Sequence, residues 1–183
     1  MTVEETHLKD CYVINPQVFK DNRGYFFESF NADKFQKITG LTIDFVQDNE
    51  SKSSKNVLRG LHFQIGDYEQ SKLVRVVKGA VIDVCVDLRK DSPTFKQSFS
   101  IELNEDNKKQ LFVPKGFAHG FVVLKDDTII NYKCDNFYHK LSERGIIFND
   151  KDLNINWGIS EGDAILSEKD IKLPTLSDYL NEK

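Results

Sequence analysis

The feature that most constrains this chain is a two-residue alternation of side-chain type, repeated in short bursts. Val81 to Leu88 reads VIDVCVDL. As a strand it sets Ile82, Val84, Val86 and Leu88 on one face and Val81, Asp83, Cys85 and Asp87 on the other. LVRVV, FSIEL, QLFVP, GFVVL and TIINYKC are further runs rich in Val, Ile, Phe and Tyr. Turn chemistry separates them at Lys78-Gly79, Asp91-Ser92-Pro93, Asn104 to Asn107, Pro114-Lys115-Gly116 and Asp126-Asp127.

Helix is scarce. Asn31 to Ile38 has an asparagine start and Gly40 just past its end, and the tail from Ser167 onward has room for another short turn. Many short strands with little helix predict an all-β fold, an antiparallel sandwich or barrel. A cupin-type jelly roll with a few short helices is the natural candidate, because it closes or covers its sheet edges. With 183 residues and no repeat or linker, the expectation is one domain over residues 1–183.

Composition narrows the function classes. At 39% hydrophobic and 30% charged residues the chain fits neither a disordered nor a membrane protein. No run approaches the roughly 20 apolar residues of a spanning helix, and MTVEETHLKD lacks the layout of a secretory signal. A net charge of -4 argues against a nucleic-acid or anionic-membrane partner. Cys11, Cys85 and Cys134 form no CxxC pair, which points to a reducing cytoplasm. Cys85 and Cys134, in apolar runs, read as small core residues.

Some residues are out of keeping with a plain core. His62 in NVLRGLHFQ and His119 in VPKGFAHGF sit among apolar neighbours, whereas His7 and His139 lie in a terminal and a polar stretch and read as bland. Lys72, Asp83 and Tyr132 interrupt strands. Facing an interior they must be paired or used; facing solvent they are ordinary, a reading that suits Arg75 and Asp87. Arg23, Arg59, Lys72 and Lys169 could gather around a phosphate or diphosphate, or stand as separate surface charges. Strict alternation from His62 points Arg59 to the opposite face, unless Gly60 marks a bulge or Arg59 precedes the strand. Metal-dependent cupins use HxH followed by Glu. Here the run is His62-Phe63-Gln64, with Asp67 and Glu69 nearby, so no metal is expected.

The blocks DNRGYFFESF, QDNESKSSKNVLRGLHFQ, QSKLVRVVKGAVIDVCVDLRKDSPTF, FVPKGFAHGFVVL, NYKC, SERGI, LNINWG and LSEKD closely resemble, in order and spacing, the dTDP-4-dehydrorhamnose 3,5-epimerase family. The resemblance implies a cupin jelly roll without metal or other cofactor, working as a homodimer in deoxysugar biosynthesis. It implies conversion of dTDP-4-dehydro-6-deoxy-D-glucose, a dTDP-4-keto-6-deoxyhexose, to dTDP-4-dehydro-L-rhamnose by inversion at C3 and C5. By that resemblance His62 is the base, Asp170 its carboxylate partner with Asp83 the second candidate, Lys72 the enolate stabiliser and Tyr132 the acid. Arg23, Glu28, Gln47, Asp48, Asn49, Arg59, His119, Glu143 and Lys169 match positions that hold the nucleotide sugar, and Tyr138 matches an aromatic that stacks on thymine. The segment around Arg23 and Glu28 is expected to reach a partner subunit's pocket. Lys151 stands where proline is commoner and Phe137 where tyrosine is frequent. The competing readings are an epimerase of one carbon only, a sugar-nucleotide-binding cupin without catalysis, and a metal-dependent cupin.

Overall fold

The computed structural model describes residues 1–181. Its strands begin with β1 (Thr2–Glu5), β2 (Tyr12–Asn15), β3 (Phe19–Asp21), β4 (Gly24–Phe26), β5 (Gln47–Ser53) and β6 (Leu58–Gln64). They continue with β7 (Lys72–Lys78), β8 (Ala80–Asp87), β9 (Ser98–Asn104), β10 (Gln110–Val113), β11 (Phe117–Val123), β12 (Thr128–Cys134) and β13 (Glu143–Gly145). A six-stranded sheet runs β1-β2-β10-β7-β12-β5 and a five-stranded sheet runs β13-β6-β11-β8-β9, while β3 and β4 form a separate hairpin. All the strand pairings within these sheets are antiparallel. This is the expected jelly roll.

The period-two runs account for the layering. Val81 and Cys85 of β8 meet Val74 and Val76 of β7, Leu111 of β10 and Phe121 of β11 in the core between the sheets. The alternate positions Val84 and Val86 point outward. They are buried too, because residues 146 to 180 wrap that face with Ile146, Phe148, Leu153, Trp157, Leu176 and Tyr179. Helix α1 (Ala32–Thr39) covers the outer face of the other sheet through Phe35, packed with Ile14, Leu73 and Phe112. It starts as its sequence predicts: the Asn31 side chain accepts from the Lys34 N–H, and Gly40 closes it at φ 74°. The tail carries two short helices, α2 (Glu168–Ile171) and α3 (Leu176–Asn181).

One expectation about polar strand residues needs correction. Asp87 does not face solvent; it is fully buried. Its carboxylate accepts from Nε and Nη2 of Arg89 and from the hydroxyls of Ser92 and Thr94, and the Arg89 guanidinium stacks 4.8 Å from the Phe117 ring centroid. The Asp-Ser-Pro turn thus supplies the donors that make this burial affordable. No helix among the described residues is long and apolar enough to cross a membrane.

Candidate active site

At one end the space between the sheets is filled by the apolar core; at the other it opens into a cavity of about 450 Å³ lined by polar side chains. The polar side chains that strands contribute to its lining come from their inward faces. On β7, Lys72 shares a face with Val74 and Val76, and on β12, Tyr132 shares one with Ile130. The five-stranded sheet contributes His62 and Arg59 from β6 and His119 from β11. A contiguous cavity of about 320 Å³, sharing His62, Lys72 and Tyr132, continues toward Gln47, Asn49, Tyr138 and Glu143.

The parity problem at Arg59 has a geometric answer. His62 pairs with His119 but Arg59 pairs with Phe121, so the register shifts between them. The extra residue lets Arg59 and His62 line the same cavity. Glycine is required there: φ is +122° at Gly60, and a Cβ would come within 2.5 Å of the Gly120 Cα.

His62 Nε2 stands 2.6 Å from Asp170 Oδ1, and the Ser167 hydroxyl donates to Asp170 Oδ2 at 2.9 Å. Ser167 also caps α2 by accepting from the Asp170 N–H. Burial alone would raise the Asp170 carboxyl; the hydrogen bond and charge of His62, with help from Ser167 and Lys169, outweigh it and hold the group below its ordinary 3.8. Asp83 is fully buried but partners a different ring, lying 2.9 Å from His119 Nε2. The choice between the two carboxylates is therefore made by geometry: Asp170 holds His62 and Asp83 holds His119.

Burial pulls the Lys72 ammonium below the ordinary 10.5, against partial opposition from Cys134, Asp83 and Glu143. Burial also pushes the Tyr132 phenol above 10.0, with Cys134 and Glu143 acting in the same direction and Arg59 against it. Tyr132 is thus neutral, its hydroxyl proton in place, at neutral pH. Cys134, pushed up to about 11 by burial, stays a thiol. At the mouth, Glu143 bridges Lys169 Nζ at 2.6 Å and the Tyr138 hydroxyl at 2.9 Å. Burial opposes ionisation of Glu143, yet these two bonds and the charges of Lys169 and His62 keep it below 4.5.

Three of the residues read as nucleotide-sugar contacts lie elsewhere in this chain. Asp48 alternates away from Gln47 and Asn49 and pairs on the outer surface with Lys133 Nζ at 2.7 Å and Asn131 Nδ2 at 3.0 Å. Arg23 stands on the exposed β3–β4 hairpin, bound to Asp21. Glu28 pairs with Lys34 and Asn31 beside α1. Ser51 and Ser167 line the larger cavity, and Ser53 accepts both Nε and Nη2 of Arg59; sequence reading passed over all three. The signal was QDNESKS, whose alternate residues Gln47, Asn49, Ser51 and Ser53 face inward.

A further cavity of about 470 Å³ lies beside Arg89 and Lys115, but its cations are already paired with Asp87, Asp10 and Asp135. Among the described residues no three His, Cys, Asp or Glu side chains are grouped as metal ligands.

A jelly roll whose interior gathers a histidine–carboxylate pair, a lysine and a phenol defines an enzyme of the acid–base cupin class. Residues 5–178 match the model of the dTDP-4-dehydrorhamnose 3,5-epimerase family. The chain is 50% identical over 183 residues to dTDP-4-dehydrorhamnose 3,5-epimerase of Escherichia coli K12, covering 100% of this chain and 98% of that one. The structure of the enzyme of that name from Elizabethkingia anophelis superposes with a TM-score of 0.94 at 56% identity, covering 97% of each chain. A dTDP-6-deoxy-D-glucose-3,5-epimerase of Legionella pneumophila, solved in complex with dTDP-4-keto-L-rhamnose, superposes with a TM-score of 0.92 at 44% identity, covering 96% of this chain and 93% of that one. The chain belongs to the dTDP-4-dehydrorhamnose 3,5-epimerase family.

Proposed function

We propose that this pocket converts dTDP-4-dehydro-6-deoxy-D-glucose to dTDP-4-dehydro-L-rhamnose by inverting C3 and C5. The observation that carries the reading is the disposition of base and acid. His62 belongs to the five-stranded sheet and Tyr132 to the six-stranded sheet, and both line one cavity. A sugar ring held between the sheets meets the base on one face and the acid on the other, which inversion of a carbon requires.

In each inversion, His62 takes the proton from the carbon next to the C4 ketone. With Nε2–H donated to Asp170, the imidazole lone pair is on Nδ1. The electron pair of the broken C–H bond moves onto the ketone oxygen, where the Lys72 ammonium stabilises the enolate. Tyr132 then gives its phenolic proton to the opposite face of the same carbon, and before the next inversion the His62 imidazolium releases its proton to solvent and the phenolate takes one up. The buried carboxylate of Asp170 stabilises the transient imidazolium, as in other base–orienter pairs.

Nucleotide recognition is assigned to Gln47, Asn49, Arg59, His119, Glu143 and Lys169, with Tyr138 stacking on the base. The active form is a homodimer in the cytoplasm. What supports the dimer is the exposed β3–β4 hairpin, with Phe19, Tyr25 and Phe26 more than half exposed. On this reading Arg23 and Glu28 serve the partner's pocket. Turnover coupled to a reductase that accepts only the doubly inverted ketose tests the activity; a verified substrate bound but never passed to the reductase contradicts it.

A further inference from the structure

Gln64 occupies the position at which metal-dependent cupins carry their second histidine, and the chemistry above leaves it without a task. It is only 6% exposed, and its side-chain amide is fully engaged. Nε2 donates to the Tyr68 carbonyl at 3.0 Å and to the Phe137 carbonyl at 3.3 Å, while Oε1 accepts from the His139 N–H at 2.7 Å. The last two bonds fall on either side of Tyr138. One buried amide thus grips the backbone before and after this residue.

Tyr138 needs such a grip. The residue is 52% exposed, so little packing fixes it. What holds the residue is its N–H on Gln47 Oε1 at 3.0 Å, its hydroxyl on Glu143, and the bracket from Gln64. Fixing the backbone of a residue costs conformational entropy, and a loop ordered in advance spares the ligand that cost. The task suits an amide: two carbonyls require N–H donors and one N–H requires an acceptor, all from one short side chain.

We propose that Gln64 is a positioning residue for nucleotide recognition, holding Tyr138 in place to stack on the base of the dTDP-sugar. The inference rests on the stacking reading of Tyr138. Calorimetric titration of the full chain with dTDP and, separately, with inorganic pyrophosphate tests it. Gln64→Met is expected to weaken dTDP binding about tenfold, to leave pyrophosphate binding unchanged, and to raise KM rather than lower kcat. Gln64→Glu keeps the volume and the acceptor oxygen but loses both donated bonds, and is expected to show the same split between the two ligands. In the Tyr138→Ala background the effect of Gln64→Met on dTDP should vanish. Equal losses for dTDP and pyrophosphate, or an undiminished effect in that background, would overturn the inference. Tyr138→Ala without effect on dTDP would retire the stacking reading and the inference together. A loss in Tyr138→Ala with normal dTDP binding in both Gln64 variants would overturn the inference alone.

Discussion

His62 and Asp170 are 108 residues apart in sequence, yet Nε2 of one lies 2.6 Å from Oδ1 of the other. The chain brings them together by folding its tail back over the five-stranded sheet, where the Ser167 cap starts α2 and the Asp170 side chain, 5% exposed, meets the imidazole. On the proposed function, this contact gives the C-terminal segment a part in the chemistry as well as in covering the core. Asp170→Asn should keep the fold and lower kcat by about 10³-fold, because an amide cannot stabilise the imidazolium. Steady-state turnover of the purified variant checks this, and a loss under twofold contradicts it.

Lys72 should set the alkaline limb of activity. The enolate needs the ammonium form, and burial places its deprotonation below 10.5, so kcat/KM should fall as pH rises with a midpoint under that value. Lys72→Met should cost about 10²–10³-fold in kcat and remove that limb. A pH–rate profile of the wild type and the variant decides the point; an unchanged limb in Lys72→Met would assign it to another group.

Tyr132→Phe removes the phenolic proton and leaves the base intact. Turnover should drop by about 10²-fold or more, while solvent exchange at C3 persists in part, since His62 can return a proton to the face it came from. Nuclear magnetic resonance of the sugar in deuterium oxide reads both. Full turnover in Tyr132→Phe would exclude the phenol as the acid.

Stability should depend on Asp87. Burial would raise its carboxyl, but the bonds from Arg89, Ser92 and Thr94 outweigh burial and hold it below 3.8. A carboxyl lowered on folding binds fewer protons folded than unfolded. Its contribution is therefore complete above the unfolded value and lost as pH falls through the folded one. Asp87→Ala removes the buried acceptor shared by Arg89, Ser92 and Thr94 while Arg89 keeps Asp10, and should cost about 1–3 kcal/mol. Urea titrations at about pH 7 and about pH 3 should show the gap to wild type narrowing in acid; a constant gap contradicts the assignment.

The layering was legible because apolar alternation reports which face of a strand is buried, as in VIDVCVDL. The same logic misplaced Asp87, since alternation says nothing of the Arg89, Ser92 and Thr94 donors waiting in the next turn. It also overlooked β5, whose inward residues Gln47, Asn49 and Ser51 line the two cavities rather than a core, while Ser53 holds Arg59. His62, Lys72 and Tyr132 stood out as polar residues in apolar strands, whereas Asp170 came only with the family resemblance, because the pairing of His62 with Asp170 and of His119 with Asp83 depends on contacts across the fold. Asp48 shows what sequence adjacency hides: it neighbours Gln47 and Asn49 in sequence, yet its side chain points the other way.

If His62 is the base for both inversions, one imidazole must serve two carbons. Incubating the full chain with dTDP-4-dehydro-6-deoxy-D-glucose in deuterium oxide and following the sugar by nuclear magnetic resonance tests it directly. Deuterium should enter at both C3 and C5 with the wild type, and at neither with His62→Ala, which should still bind dTDP. Label confined to one carbon, or label at both carbons without His62, would contradict it.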